Sequence, residues 1–433
     1  MRIVTGNVVT GENFFQARQP DVQRLREQLA ISDVLLVGPR RTGKTSLLKE
    51  YLLQQEETNP QFKSIFIDLE STKNLYEFYV KIIREILRVT RKWRLYLTQT
   101  DELIKRFSTQ LSEIFESKID ISAILGLPSE TPVTISFPKF EPKKITELQQ
   151  KLSEILHALS EPLVIVLDEF PELIWRLGQD AVLEQRVQIR KEQTEFMLSG
   201  LRTLRQESTG QGAKHKIVIA GSVNLVSTLE HLGLSDAIND IVRLELADLT
   251  APQAIQLFEE LAQSEQFKFN PPKIYEAFIA KQFGSTSPLY IQMFAQLFVQ
   301  LRIDRGGDLE FSEDDLITSY KNLISTSGGQ GPRYLRTRIE RYYTAEEQKL
   351  VLPILEIVAK NQFQNKTKTS ESDCLSYAQN KAAVEMPRLQ QTDLLAKMKS
   401  DDLIHISTDQ YWFESQFLCN FWHYTLVGTE FLA

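Results

Sequence analysis

Five short apolar runs, separated by amphipathic stretches, mark the first 250 residues of the chain. The stretches between the runs have helical spacing, as from Lys44 to Gln54 and over residues 145–159. The runs lie at residues 34–37, 62–70, 162–170, 216–224 and 240–249. Buried strands that alternate with helices are typical of βαβ units, so the pattern predicts an α/β fold with a parallel sheet covered on both faces.

One segment interrupts this alternation. Residues 95–144 begin with a polar helical part and continue with alternating apolar and polar positions, which turn at Leu127-Pro128-Ser129. This pattern predicts an inserted helix plus hairpin.

The pattern changes after residue 249. Residues 250–330 have helical spacing throughout and predict a helical lid in which the strands stop. Residues 331–433 continue with helices and end in two short strands around a turn at residues 408–410, which is typical of a winged-helix domain. Together with an α/β core over residues 1–249, this predicts three domains, as expected for 433 residues.

Composition narrows the class of protein. The net charge is −7, so the chain as a whole is not expected to bind nucleic acid or anionic membranes by charge alone. Its two cysteines, Cys374 and Cys419, lie far apart without a CxxC partner, which favours a reducing compartment. The N-terminal residues lack the apolar stretch of a signal peptide, and no run is long enough for a membrane span. We expect a cytoplasmic protein.

The first apolar run leads into a phosphate-loop motif, G-x-x-x-x-G-K-[ST]. It follows a predicted strand and opens a predicted helix, which is the context that the motif requires. Loop amides and the helix N-terminus bind phosphates, the lysine pairs with the β- and γ-phosphates, and the hydroxyl after it binds Mg²⁺. The predicted binding residues are Gly38, Pro39, Arg40, Arg41, Thr42, Gly43, Lys44, Thr45 and Ser46.

Two further runs end in candidate catalytic residues. The run Val-Ile-Val-Leu ends in Asp168 and Glu169, where a strand edge would place them beside a ligand. Asp168 would hold Mg²⁺ through water, and Glu169 would polarise the attacking water. The fourth run ends in Ser222, whose hydroxyl either reaches the γ-phosphate or caps the next helix. Together with the phosphate loop, the acidic pair predicts a P-loop NTPase.

The loop also holds two arginines. Arg40 and Arg41 either neutralise phosphate charge, act across a subunit interface, or are solvated. Over residues 344–433 the chain has eight Lys and Arg against twelve Asp and Glu, which disfavours DNA binding by this domain without excluding a small basic face.

The order of these motifs resembles the archaeal-type ATPases of the STAND branch of AAA+-like NTPases. The resemblance runs over most of the chain. It rests on "GNVVTGENFF", "VLLVGPRRTGKTSLL", "FIDLE", "VIVLDEFPEL", "IAGSVNL", the segment leading into "LADLTAPQAIQLFEELA", and "RYLRTRIERYY". The chain departs from the family pattern in two places. Gly284 precedes Pro288 by four residues instead of two, and the lead-in continues as Phe14-Phe15-Gln16-Ala17-Arg18 instead of Phe-Phe-Gly-Arg-Glu.

The resemblance implies an ATP-binding core, a helical lid and a C-terminal winged helix. It implies that Lys44 and Thr45 contact phosphate and Mg²⁺, that Asp168 and Glu169 form the acidic pair, and that Pro288 packs near the adenine. The expected function is a Mg²⁺-dependent ATPase switch that acts on a protein partner or on further copies of itself. The alternatives are a DNA-handling ATPase that uses the winged helix, and a nucleotide-binding protein without turnover.

Overall fold

The structure is a computed structural model of the chain. It describes all residues except 6, 60–62, 93–138, 160–161, 180, 183–184, 208–214, 223, 308, 326–332, 402, 408 and 429–433. Nearly all of the predicted helix-plus-hairpin insertion at residues 95–144 therefore lies outside the described residues. Elements are numbered below in chain order among the described residues.

The first half of the chain alternates strands and helices. Its helices are α1 (Gln19–Ile31), α2 (Lys44–Thr58), α3 (Leu75–Lys92), α4 (Pro142–His157), α5 (Phe170–Arg176), α6 (Arg186–Glu207) and α7 (Asn224–His231). Its strands are β1 (Val34–Gly38), β2 (Lys63–Asp68), β3 (Leu163–Asp168), β4 (Lys216–Ser222) and β5 (Val242–Glu245). Each predicted apolar run contains or overlaps one of these strands.

The five strands form one sheet with the order β2-β3-β4-β1-β5. Strand β2 pairs with β3, β3 with β4 and β1 with β5, and each of these pairs is parallel. Residues of β1 and β3 are buried along the whole strand. Burial on both faces explains why these strands appear in the sequence as continuous apolar runs instead of alternating ones. The predicted α/β fold with a parallel sheet is confirmed.

The lid follows β5. Its helices are α8 (Ala251–Ser264), α9 (Ile274–Gln282), α10 (Pro288–Asp304) and α11 (Glu313–Ile324), and its strands are β6 (Lys268–Phe269) and β7 (Glu310–Phe311). The expectation that strands stop after residue 249 is therefore wrong, because β6 and β7 form a two-stranded parallel sheet. Two residues are too few to produce a recognisable sequence period.

Aromatic side chains dominate the lid core, with Phe258, Phe294 and Phe298 in mutual ring contact.

The C-terminal part combines helices with a small sheet. Its helices are α12 (Arg333–Tyr342), α13 (Ala345–Lys360), α14 (Glu371–Ala382), α15 (Arg388–Ser400) and α16 (Gln416–Leu426), and its strands are β8 (Thr369–Ser370), β9 (His405–Ser407) and β10 (Gln410–Trp412). The sheet order is β8-β10-β9, and both pairs are antiparallel. This is the arrangement expected of a winged helix, and it contains the predicted hairpin.

The chain divides into two compact units. The sheet unit comprises Val22–Val37 and Tyr51–Glu245, and the lid unit comprises Met1–Asp21, Gly38–Glu50 and Leu246–Ala433. The phosphate loop thus belongs to the same compact unit as the lid and the C-terminal helices. The predicted domain boundaries at residues 249 and 330 stay predictions. Among the described residues, none of the helices has the length and apolar character needed to span a membrane.

Candidate functional site

The phosphate-loop motif connects the end of β1 to the start of α2. Lys44 is the first residue of α2, so the loop directly precedes a helix N-terminus. Gly43 has φ of +95°, a left-handed conformation that favours glycine over other residues. Backbone N–H groups at such a turn and at a helix N-terminus are the donors that bind phosphate groups.

Two side chains hold the loop from within. The Lys44 ammonium donates to the carbonyl oxygens of Gly38 at 3.0 Å and Pro39 at 2.6 Å. The Thr42 hydroxyl donates to the same Pro39 oxygen at 2.9 Å. Lys44 and Thr42 are both buried. Phosphate oxygens are stronger acceptors for an ammonium than carbonyl oxygens are, so Lys44 can exchange these partners for a phosphate.

Gly38 allows a close approach of the core-to-lid junction. A side-chain carbon at this position would lie 2.3 Å from the carbonyl oxygen of Leu246. No other residue type fits there without displacing the backbone of Leu246. Packing alone therefore requires glycine at the first position of the motif, and the phosphate contact predicted for Gly38 stays a prediction.

The two arginines of the loop differ in exposure. Arg40 is half-buried and Arg41 is exposed. Arg41 has φ of +69°, which is uncommon for a residue with a side chain. Its carbonyl oxygen accepts a hydrogen bond from the Ser287 hydroxyl at 2.7 Å. The roles predicted for both guanidinium groups stay open.

The N-terminal segment lies against α2. The backbone N–H of Val9 donates to the Ser46 hydroxyl at 3.1 Å, and that of Gly11 donates to the Glu50 carboxylate at 2.6 Å. Ser46 and Glu50 are both buried. The segment that the family resemblance identified as a lead-in is thus attached by its main chain to the helix that begins at the loop.

Asp248 is a charged residue near Lys44 that no sequence motif predicted. Asp248 lies between β5 and α8, and its Oδ1 is shielded from solvent without a hydrogen bond among the described residues. Burial raises the pKa of Asp248 to about 6. The positive charges of Arg18 and Lys44 lower this pKa and offset the effect of burial only in part, whereas the negative charge of Glu414 raises it further. Arg18 also donates to the Ala247 carbonyl oxygen at 2.7 Å. Arg18 belongs to the segment in which the chain departs from the family lead-in, and it nevertheless lies beside Ala247 and Asp248.

Pro288 is the first residue of α10 and is half-buried. Proline suits this position because its fixed φ matches the helix and its missing N–H would have no helical partner. Ser287 caps the helix by accepting from the backbone N–H of Leu289 at 3.3 Å. The adenine contact predicted for Pro288 stays a prediction.

The acidic pair lies at the end of β3 in the sheet unit. Asp168 is only 3% exposed, and its Oδ1 accepts from the backbone N–H of Glu169 at 3.0 Å. Glu169 has φ of +54° and immediately precedes α5, whose first turn contains Pro171. A left-handed conformation at a residue other than glycine costs on the order of 1–3 kcal/mol and is found preferentially at functional sites. The predicted general base therefore occupies a strained position.

The sheet brings other polar residues to the same strand ends. Asp68 of β2 is the register partner of Asp168, and each is the last residue of its strand. The sequence motifs did not indicate this pairing. Ser222 ends β4, the neighbour of β3 on the other side, and is buried. A side-chain carbon at Gly221 would lie 2.5 Å from Pro171, so glycine lets β4 approach the start of α5. The predicted roles of Asp168, Glu169 and Ser222 stay predictions.

Comparison with known proteins gives the family of the core. Residues 34–210, which contain both the phosphate loop and the acidic pair, match the family model described as an AAA domain. This part of the chain is an AAA domain. The predicted family of AAA+-like P-loop ATPases is thereby confirmed, while its STAND branch stays a prediction. Among curated proteins, none matches the chain.

Solved structures share the fold around the AAA domain. A Walker-type ATPase of Pyrococcus abyssi is 16% identical to the chain with a TM-score of 0.57, and the match covers 98% of this chain and 100% of that chain. The ORC2 protein of Aeropyrum pernix, solved as ADPNP and ADP complexes, is 15% identical with a TM-score of 0.56, over 93% of this chain and 92% of that chain. Both likenesses extend well beyond the AAA domain, so the lid and C-terminal helices belong to a shared fold.

Proposed function

We propose that this chain binds ATP with Mg²⁺, hydrolyses it, and acts as a nucleotide-dependent switch. The observation that carries the proposal is the phosphate loop of the AAA domain, in which Lys44 begins α2 and Gly43 has a left-handed backbone. A positive helix end, backbone donors and a lysine ammonium together form an anion site suited to a polyphosphate.

The loop residues would bind the phosphates. Backbone N–H groups between Gly38 and Ser46, apart from Pro39, which has none, would donate to the phosphate oxygens, and Lys44 would pair with the β- and γ-phosphates. Arg40 and Arg41 are further cations beside this charge, with roles that the proposal leaves unassigned. A triphosphate has enough phosphate oxygens and negative charge to bind the backbone N–H groups, Lys44 and both arginines.

Thr45 and Asp168 would hold the metal ion. A hydroxyl and a carboxylate supply the hard oxygen ligands that Mg²⁺ prefers, and the Asp168 carboxylate is buried and supported by the Glu169 amide. Bound Mg²⁺ would neutralise the charge that develops on the phosphates. Glu169 would orient the attacking water and accept its proton, and Ser222, at the end of β4, is a candidate for a γ-phosphate contact.

The base would be bound between the N-terminal segment and the lid. Val9 and Gly11 lie against α2, and Pro288 opens the lid helix α10. The match of residues 34–210 to an AAA domain supports ATP as the nucleotide, and the sequence contains no Asn-Lys-x-Asp guanine motif. We therefore assign ATP as the nucleotide.

The switch would act on a protein partner or on further copies of the chain. Within the C-terminal part, which we propose to be a winged helix, residues 344–433 are acidic, with eight Lys and Arg against twelve Asp and Glu. A DNA-binding domain normally has the opposite balance, because contacts to phosphates supply most of its affinity. We therefore propose a protein surface as the target of the C-terminal part.

ATP binding and phosphate release test the nucleotide proposal. Titration of the purified chain with ATP should show saturable binding, and phosphate release should require Mg²⁺ and stop when EDTA removes it. Absence of binding to both ATP and ADP would refute the proposal. Binding without release, alone and with captured partners, would favour the pure binding protein.

A trapped complex tests the partner. The Glu169→Gln variant loaded with ATP should retain a protein partner in a pull-down, and the ADP-loaded protein should release it. Duplex DNA at about 50 mM salt provides the contrast, because a salt-dependent affinity for DNA would contradict the protein target.

A further inference from the structure

Ser287, the residue before α10, is a buried residue that makes a partly buried contact between the lid and the phosphate loop. Its hydroxyl donates to the carbonyl oxygen of Arg41 at 2.7 Å across 246 positions of sequence. Ser287 is only 3% exposed. A hydrogen bond that is partly shielded from water is stronger than one that is fully exposed.

The position of Ser287 is fixed on both sides. The preceding residue, Thr286, pairs both its N–H and its carbonyl with Leu249 at 2.9 Å. The following residue, Pro288, has a φ restricted by its ring. The Ser287 oxygen accepts from the Leu289 amide, and its single proton goes to Arg41. The hydroxyl therefore has a defined direction.

The acceptor, Arg41, is a loop residue with a strained backbone conformation. Arg41 has φ of +69°, a conformation that residues with side chains retain only when their surroundings hold it. A trans peptide places its C=O and the next N–H on opposite sides. Fixing the Arg41 carbonyl consequently fixes the direction of the Thr42 N–H, one of the donors of the loop.

We propose that Ser287 is a positioning residue for nucleotide binding, which holds the Arg41–Thr42 peptide so that the Thr42 N–H is directed at the bound phosphate. The proposal rests on the proposed function of the loop and adds a residue outside the motif to it. A donor already held in its binding orientation loses less conformational freedom when the ligand arrives, so affinity rises. Ser287 acts through Arg41 and Thr42.

Three substitutions separate this role from a purely structural one. Ser287→Gly removes the hydroxyl donor, and glycine is well tolerated at a helix N-cap. Ser287→Thr restores a hydroxyl. Ser312→Gly is the matched control, because Ser312 caps α11 in the same lid and its hydroxyl bonds to Asp315 at 3.0 Å.

The affinity for fluorescent ADP and the hydrogen exchange of the Thr42 amide are the readouts. We expect Ser287→Gly to weaken ADP binding about tenfold, as the loss of one partly buried hydrogen bond implies. The Thr42 amide should exchange faster in this variant without nucleotide. Ser312→Gly should match the wild type in both measurements, and Ser287→Thr should recover most of the affinity.

Failure of this inference is distinguishable from failure of the proposed function. Wild-type affinity and unchanged Thr42 exchange in Ser287→Gly would overturn it, and so would an equal loss in Ser312→Gly. If the wild type binds neither ADP nor ATP, the proposed function is wrong. Exchange at Thr42 then still decides whether Ser287 positions this amide.

Discussion

The phosphate loop and the acidic end of β3 differ in the contacts that the structure shows for them. The loop is held from within by Lys44 and Thr42 and also by residues from distant parts of the chain, with Ser287 on the Arg41 carbonyl and Leu246 packed against Gly38. At the acidic end, Asp168 accepts from the amide of the next residue and Glu169 directly precedes α5. Nucleotide affinity should therefore respond to changes far from the motif, whereas turnover should depend on two adjacent carboxylates.

The largest expected effect separates turnover from binding. Glu169→Gln should lower the ATP turnover rate about 1,000-fold, within the range typical of a lost general base, and leave ATP affinity within about twofold. Phosphate release and ATP titration measure the two quantities. Glu70→Gln removes an exposed carboxylate beyond the neighbouring strand β2 and should behave as the wild type. A large loss of affinity in Glu169→Gln would break the comparison.

The next effect concerns the loop. Lys44→Ala should weaken ATP binding about 100-fold, because hydrogen bonds to charged groups contribute about 1.5–3 kcal/mol. Calorimetric titration measures the affinity. Lys49→Ala is the matched control, since it removes the same charge from an exposed position of the same helix. Equal losses in the two variants would mean that general charge, and not the position of Lys44, binds the nucleotide.

The remote support of the loop can be broken at Gly38. Gly38→Ala should destabilise the protein by about 2–3 kcal/mol, because the added carbon overlaps the Leu246 carbonyl oxygen. Chemical denaturation with and without ATP measures the loss. An unchanged free energy of unfolding would show that the junction between β5 and α8 yields easily, and the loop would then be supported more locally than we infer.

The smallest expected effect is the pH dependence of stability that arises from Asp248, beside the phosphate loop. The pKa of Asp248 is about 6 in the folded protein against 3.8 for an unperturbed aspartate, so the folded state binds a proton more tightly between these values. The contribution of Asp248 to stability should therefore fall as pH rises from about 4 to 6 and then level off. Relative to Asp248→Asn, the fall should be on the order of 1–2 kcal/mol.

The pH titration has its own control. Both proteins share every other titrating group, so their difference in unfolding free energy isolates Asp248 among the charges of Arg18, Lys44 and Glu414. A constant difference across pH 4–7 would contradict the raised pKa.

Local patterns account for what could be predicted from the sequence. The apolar runs predicted the sheet most clearly at β1 and β3, which are buried along their whole length and therefore consist of continuous apolar residues. The loop motif could be predicted because it lies within eight consecutive residues. Strands β6, β7 and β8 have two residues each, too few to show a period.

The support of the loop could not be predicted in the same way. The contacts of Arg41 with Ser287 and of Gly38 with Leu246 join residues that are more than 200 positions apart. Serine before a proline predicts a helix start, as found at α10, but not the carbonyl that its hydroxyl meets. Asp248 has no motif of its own, since its raised pKa arises from burial that follows only from the packed chain.

Phe417 of the last helix completes the aromatic core of the lid. Its ring stacks on Phe283 at a centroid distance of 5.2 Å and lies 4.4 Å from that of Tyr290. A shortened protein that ends before α12 would expose these rings to water, and such a patch promotes aggregation. Anyone preparing the AAA domain with its lid for study should therefore retain α16, or replace the uncovered aromatic residues with polar ones.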